Sequence, residues 1–326
     1  MDIGEANRCR FQPGSGEGHY ESYFLRANHP QRPLAFWIRY TFFSPKGRPL
    51  DAVGEVWAVV FDGEHERIVA KRDAFPLTAC SIGSGSLSLV IGGSSLSGAR
   101  LAGNAGPVTW LLNYDAPHPP LMLLPPALYS SALPRAKALV GGPAALFSGE
   151  LRIDGATLDI RQWRGSQNHN WGSRHTDTYA WGQVAGFDGA PDVFLECTTA
   201  RLKLGPVWSP PLTLVVLRIG ATQYSLNGLV QAMRTRATLD FFRWEIDARS
   251  AEVTISIRMH APSSAFAGLG YANPPGGIKT CLNSKLATCS VTVTRPRMAA
   301  VTYHTEHRAA FEILTDRTDH GIAVLA

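Results

Sequence analysis

"AEVTISIRMH", residues 251–260, places Val253, Ile255, Ile257 and Met259 on one side of an extended chain and Glu252, Thr254, Ser256 and Arg258 on the other. That two-residue period is what an antiparallel strand with one buried face requires, because successive side chains point to opposite faces. "LAFWIRYTFF", residues 34–43, alternates Leu34, Phe36, Ile38, Tyr40 and Phe42 against Ala35, Trp37, Arg39 and Thr41. "ELRIDGATLDI" folds back at Asp154-Gly155, a pair that tolerates the positive φ angles of a type I′ hairpin turn. Further strands are predicted at "EVWAVVFD", "SLSLVIG", "VTWLLNY", "VFLECTTARL", "LTLVVLRIG" and "TLDFFRWEID". Helical periodicity is scarce, and 31 Gly and 22 Pro punctuate the chain. The expected fold class is all-β.

Composition narrows the function. The 326 residues are 45% hydrophobic and 17% charged, suited to a globular protein with a sizeable core. No apolar run reaches membrane-spanning length, and the acidic opening "MDIGEANRCR" lacks a signal-peptide core, so a cytoplasmic protein is expected. The net charge of +5 comes from scattered arginines, which argues against a nucleic-acid partner. Five cysteines without close pairs fit reduced thiols better than disulfides or zinc. His304 and His307 lack a third ligand, so no metal is expected.

Two pairs of segments align at nearly the same separation: Trp37 with Trp181, and Lys137 with Lys279, the latter also matching Ser148 with Ser290. Two similar β units in tandem are therefore expected, divided as 1–160 and 161–326, each the length of a small barrel. The Pro-broken apolar stretch 116–137 reads as either a lid over a barrel mouth or a hydrophobic cluster packed outside it.

The chemistry concentrates in "GSQNHNWGSRHTDTYAWGQ", residues 165–183. His169 and Trp171 share one strand face, and Tyr179 and Trp181 repeat that spacing. Gly165, Gly172 and Gly182 leave room for a backbone bend or a close ligand. An aromatic wall with polar tips suits a pocket for a large apolar ligand, and its π faces attract developing positive charge. The alternative is burial of Trp at a domain junction, with His and Asn satisfying nearby backbone groups. Trp37, Trp57, Trp110, Trp208 and Trp244 are read as core, and His175 as solvent-facing.

The pattern Trp163-x-Gly165…His169-Asn170-Trp171-Gly172, followed by Tyr179-x-Trp181-Gly182, resembles the hydroxyneurosporene synthase (carotenoid 1,2-hydratase)/AttH-like family, related to tocopherol cyclase and to lipocalin-like Diels–Alderases. "ESYFLRANHPQRPLAFWIRYTFF", "GEVWAVVFD" and "YANPPGGIKTCLNSK" also look like family segments. The resemblance implies two tandem lipocalin-like (calycin) barrels with an apolar ligand inside or between them. It implies protonation of an isoprenoid double bond by a carboxylic acid, followed by capture of the cation by water. His169 and Trp171 match the family's His-x-Trp. Glu196 stands where Asp is expected, and Phe194 where Tyr is expected.

Protonating an unactivated alkene needs a carboxyl kept neutral by burial. Glu196 is the first candidate, with Asp177 and Asp188 behind it; an outward-facing, salt-bridged Glu196 is the alternative. His169 is assigned to water or proton relay, Tyr179 to orienting a ligand carbonyl, and Trp163, Gln167, Asn170, Trp171, Trp181, Lys279 and Asn283 to substrate binding. Lys279 and Lys285 read equally well as surface residues. The expected function is cofactor-independent hydration or cyclisation of an apolar polyene or isoprenoid, collected in part by peripheral membrane contact. Two other readings stay open: a pericyclase that polarises a carbonyl through hydrogen-bond donors, and a non-catalytic lipocalin-like carrier.

Overall fold

The computed structural model describes residues 7–83 and 87–326. Alternation forms two large antiparallel sheets, of twelve and ten strands. In the first, His19–Asn28 pairs with Leu34–Ser44 on one side and with the long Ala156–Gly172 strand on the other. Ala136–Ile153 follows, then Val108–Asp115 and a run of short strands ending at Cys80–Ile82. The sheet curls around a core that draws Leu25, Phe36, Tyr40, Leu89, Leu101, Phe147 and Trp163 from strands along its whole width. The second sheet repeats the plan: Thr178–Phe187 pairs with Ala190–Arg201 and Val301–Thr315, and Ile278–Thr294 lies next. Its core joins Leu195, Val215, Trp244, Ile257, Met259 and Phe311. The protein is all-β and built as tandem lipocalin-like barrels. Among the described residues one short α-helix occurs, Leu229–Arg234, and no helix is long and apolar enough to cross a membrane.

Sheet order tests the proposed duplication. Ala136–Ile153 and Ile278–Thr294 occupy equivalent places, so the alignment of Lys137 with Lys279 is structural. Trp37 and Trp181 do not correspond, because Trp181 lies on the strand equivalent to His19–Asn28. A division at 160/161 would cut the Ala156–Gly172 strand, whose residues 164–172 pair with His19–Asn28. The sheets separate instead between Gly172 and Thr178.

Alternation also explains an excess of burial. In Thr254–His260, Ile255, Ile257 and Met259 are buried while Arg258 and His260 are exposed. Leu34–Ser44, by contrast, is buried on both faces. Phe36, Ile38 and Tyr40 enter the first core, and Ala35, Trp37 and Arg39 are covered by the second barrel. Trp110 and Trp244 are core as expected, but Trp208 is 38% exposed beneath the Arg201 guanidinium. At the predicted hairpin, Asp154 and Gly155 adopt φ of 52° and 84°, the two positive values of a type I′ turn. The stretch 116–137 straps across the outside of the second barrel, where Leu121 and Leu123 pack on Ala185, Phe194 and Val216.

The glycines of the aromatic segment hold protein, not ligand. A Cβ on Gly165 would lie 1.8 Å from the Arg26 carbonyl oxygen, and one on Gly172 would lie 2.1 Å from that of Arg135. Gly182 faces Met259 and Trp244 in the second core. Gly165→Ala therefore has to push two paired strands apart. We expect it to lower stability by about 3 kcal/mol in urea titration, while Gly16→Ala, with open space around it, leaves the midpoint unchanged.

Candidate active site

Strand parity sorts the polar residues into two sets. On Ala156–Gly172 the odd positions Trp163, Gln167, His169 and Trp171 share a face with the first-barrel interior, while Ser166 and Asn168 point towards the second barrel. Facing them there are Gln183, Trp181 and Glu196, on the outer surface of the second barrel. The interface between the barrels thus contains a buried polar layer beside its apolar contacts.

Gln183 organises that layer. Its Oε1 accepts from Arg26 Nε at 2.8 Å and Ser166 Oγ at 2.6 Å. Its Nε2 donates to Asn168 Oδ1 at 2.8 Å and Glu196 Oε2 at 2.7 Å. All four bonds an amide can form are made, and only this orientation of the amide satisfies them. Glu196 Oε1 accepts from Trp181 Nε1 at 2.8 Å. Arg26 is fully buried and also reaches Asn28 Oδ1 at 2.8 Å and the Gln183 carbonyl at 3.2 Å. Burial lowers the Arg26 pKa to about 10 despite the charges of Glu196 and Glu312. Burial pushes the Glu196 carboxyl up to about 7, against the opposing pull of the Trp181 and Gln183 hydrogen bonds and the Arg26 charge. A carboxylic acid that is half protonated at neutral pH can donate a proton to a substrate.

Beside this group, Lys285 is completely buried and bonds Glu312 Oε1 at 2.7 Å and Asn283 Oδ1 at 2.5 Å. Its ammonium sits 5.9 Å from the Trp37 ring and 5.7 Å from the Trp181 ring. The surface reading of Lys285 is therefore wrong, and Asn283 serves this pair by donating to Glu312 at 3.0 Å.

His169 belongs to the other set. Its Nε2 lies 2.8 Å from Glu21 Oε1, and its ring stacks on Tyr23 at 4.1 Å and tilts against Trp171 at 4.4 Å. Glu21 also takes both Arg10 N–H contacts and bonds His19 at 3.1 Å. Burial would raise the Glu21 pKa, but the hydrogen bonds from His169 and His19 outweigh it and hold the carboxyl at about 2. The Arg10 guanidinium covers the Trp171 ring at 4.0 Å. His169 and Trp171 therefore share a face, as expected, but it is not the face that meets Glu196.

Other assignments separate as well. Trp163 packs in the first core against Phe36 and His29. Gln167 accepts from Asn7 at 3.0 Å. Asn170 pairs by backbone register with Ser22 and Ala138. Asp177 bonds the Arg174 side chain and accepts from Lys203 N at 2.8 Å, and Lys279 Nζ donates to the Asp177 carbonyl at 2.9 Å and to Asp316 at 2.6 Å. The buried Lys279–Asp177 bond ties the linker to the second barrel. Tyr179 joins the apolar interface with Trp37, Trp181 and Tyr271. Its hydroxyl is held protonated by burial, with Cys281 and Glu312 adding to the effect. Asp188 pairs with Arg308. His175 is 8% exposed, not solvent-facing, and stacks on Tyr20 at 4.0 Å.

Two hollows mark the interface. One of about 170 Å³ is lined by Phe61, Ile68, Pro262, Leu286 and His307, among others. The other, about 10 Å³, opens between Tyr20, Arg39, Trp57, His175 and Tyr271. Neither is lined by His169, Trp171 or Glu196. The single ring-lined cavity expected around those three residues is replaced by two packed clusters on opposite faces of a strand. Sequence reasoning missed Glu21, Arg26, Arg39, Gln183 and Glu312. The available signal was aromatic residues on both parities of 34–43, which marks a strand covered on both sides.

A family model described as tocopherol cyclase-like matches residues 134–314. The uncharacterized protein Rv0493c of Mycobacterium tuberculosis is 28% identical over 197 residues, 60% of this chain and 59% of its own length. The chain thus matches about three-fifths of that curated relative. Among solved structures, the fold is similar to kievitone hydratase from Nectria haematococca (TM-score 0.57, 12% identity, 96% and 92% of the two chains). It is similar also to CghA with Sch210972 (0.59, 10%, 95% and 94%) and to an AttH-type protein from Nitrosomonas europaea (0.55, 13%, 94% and 97%).

The Glu196 environment has a measurable signature. Its folded pKa is raised, so its contribution to stability is full below about 4.5 and is lost as pH rises through about 7. His175, held down to about 3 by burial and the Arg39 charge, works in the opposite sense over part of that range. The difference between wild type and Glu196→Gln isolates the carboxyl. We expect chemical denaturation to show the variant gaining stability relative to wild type between pH 4.5 and 7, and a flat difference would contradict the buried-acid assignment.

Proposed function

Because this chain belongs to the tocopherol cyclase-like family, we propose that it is a cofactor-independent enzyme acting on an apolar polyene or isoprenoid-type substrate at the face between its two barrels, by proton-initiated hydration or cyclisation. The observation that carries this reading is the Glu196 carboxyl, buried and half protonated near pH 7. Glu196 gives its proton to one carbon of a double bond, leaving a tertiary cation on the other. Water captures the cation and returns a proton to the carboxylate, or an internal hydroxyl or double bond closes a ring and loses the proton instead. Once ionised, Glu196 is stabilised by the Trp181 and Gln183 donors already in place and by the Arg26 charge. Preorganised donors of this kind need no rearrangement during the reaction. The likeness to kievitone hydratase is consistent with this chemistry. Since the carboxyl is enclosed, substrate reaches it by displacing side chains of the interface.

A second reading is favoured by charge. Lys285 and Arg39 place cations against Trp37, and Trp181 also faces Lys285. Those π faces already serve resident cations, and a site with this balance suits negative charge developing on a polarised carbonyl, as in a pericyclase. A lipocalin-like carrier is the third reading.

Product analysis separates hydration, ring closure and carriage, and the Glu196 variant separates acid-initiated from pericyclic closure. Hydration puts solvent oxygen into the product in ¹⁸O-labelled water, cyclisation or pericyclic closure yields an isomer of unchanged mass, and a carrier returns its ligand unaltered. We expect Glu196→Gln to reduce turnover about a hundred-fold or more. Full turnover in that variant would remove Glu196 as the acid.

A further inference from the structure

Arg39 presents a charge without a counter-ion. Its residue is 6% exposed, and among the described residues it forms no ion pair. One hydrogen bond is made, from Nη2 to Ser22 Oγ at 2.7 Å, and Nε has no partner. Three rings enclose the guanidinium: Tyr271 at 4.4 Å, Trp57 at 5.7 Å and Trp37 at 5.9 Å. Cation–π contacts offset part of the desolvation of a buried guanidinium, but they do not neutralise it.

The small hollow opens on this group. Tyr20, Thr41, Phe43, Glu55, His175 and Ala272 complete its wall. Glu55 is turned to other partners, accepting from Trp57 Nε1 at 3.1 Å and lying 3.9 Å from Arg72. His175 is neutral across the physiological range. With Arg72 beside Glu55, two guanidinium groups face one carboxylate, which leaves one positive charge in excess at the hollow. Its volume of about 10 Å³ is near that of one water, enough to seat one oxygen of a head group. From there the Trp37 ring leads to Lys285, and Lys285 to Trp181, whose Nε1 bonds Glu196.

We propose that Arg39 is the anchor for the carboxylate of an amphipathic acid, its charged head paired with the guanidinium in this hollow and its apolar body laid along the ring-lined face towards Glu196. The fate of that body rests on the function proposed above, whereas the anion site stands on Arg39 alone. A carboxylate supplies the acceptor that Nε lacks, and planar Arg–carboxylate pairing gives orientation as well as affinity.

The test is a tryptophan-fluorescence titration of the full chain with geranic acid and with its methyl ester, on wild type and Arg39→Met. We expect saturable binding of the acid and binding of the ester about thirty-fold weaker or worse. Arg39→Met should bring the acid down to the level of the ester and leave the ester unaffected. Equal binding of acid and ester to wild type, or undiminished acid binding by the variant, would overturn the proposal. Thermal melting without ligand provides the folding control. A midpoint at or above wild type is expected when an unpaired buried charge is removed, and a clearly lower one would make Arg39 a brace for the rings instead. Because the titration reads binding alone, an Arg39-dependent site in a protein without turnover would refute only the catalytic reading.

Discussion

The structure depends on a polar layer sealed between two greasy barrels. Arg26 cannot reach water, and a buried guanidinium without partners would be strongly unfavourable. It is tolerated because the two sheets meet in the one register that presents it with Gln183, while Asn28 of its own strand supplies a further acceptor. Gln183 in turn leaves none of its amide atoms unbonded. Apolar contacts between Phe24, Trp37, Trp181 and Leu314 would hold the barrels together over a range of offsets. The hydrogen-bonded layer selects one offset, since a half-satisfied buried network is worse than an apolar one. The raised pKa of Glu196 follows from the same enclosure.

The fold was largely legible in the sequence, because half-buried strands write their period directly into residues such as Ile255, Ile257 and Met259. The site was legible only in part. Alternation showed that His169 and Trp171 share a face, but it could not show which face, since both sides of that strand are covered. Charged residues at Arg26, Arg39 and Lys285 look like a solvated side wherever one face is assumed to meet water. What covers them comes from a barrel more than a hundred residues away, and no local pattern records it. The same limit explains the division at 160/161: segment alignment gives the length of a unit but not that residues 164–172 pair back to His19–Asn28.

The internal duplication is clearest in the two lysines that the sequence aligns, Lys137 and Lys279. Lys137 donates to the Ser131 carbonyl and Lys279 to the Asp177 carbonyl. Each begins one of the long strands and ties it to the segment that precedes or crosses it. Equivalent position has preserved an equivalent structural task, whereas Trp37 and Trp181, alike in sequence context, reach the common interface from strands of different rank.

The connection from Gly172 to Thr178 has a mechanical implication. His175 N donates to Asn273 Oδ1 and its ring is sandwiched with Tyr20, so the connection is fastened to both barrels at mid-length. It acts as a rivet and not as a hinge. Severing the chain there would leave two fragments travelling as a single particle, because their cohesion resides in the joined faces and not in the covalent thread between them.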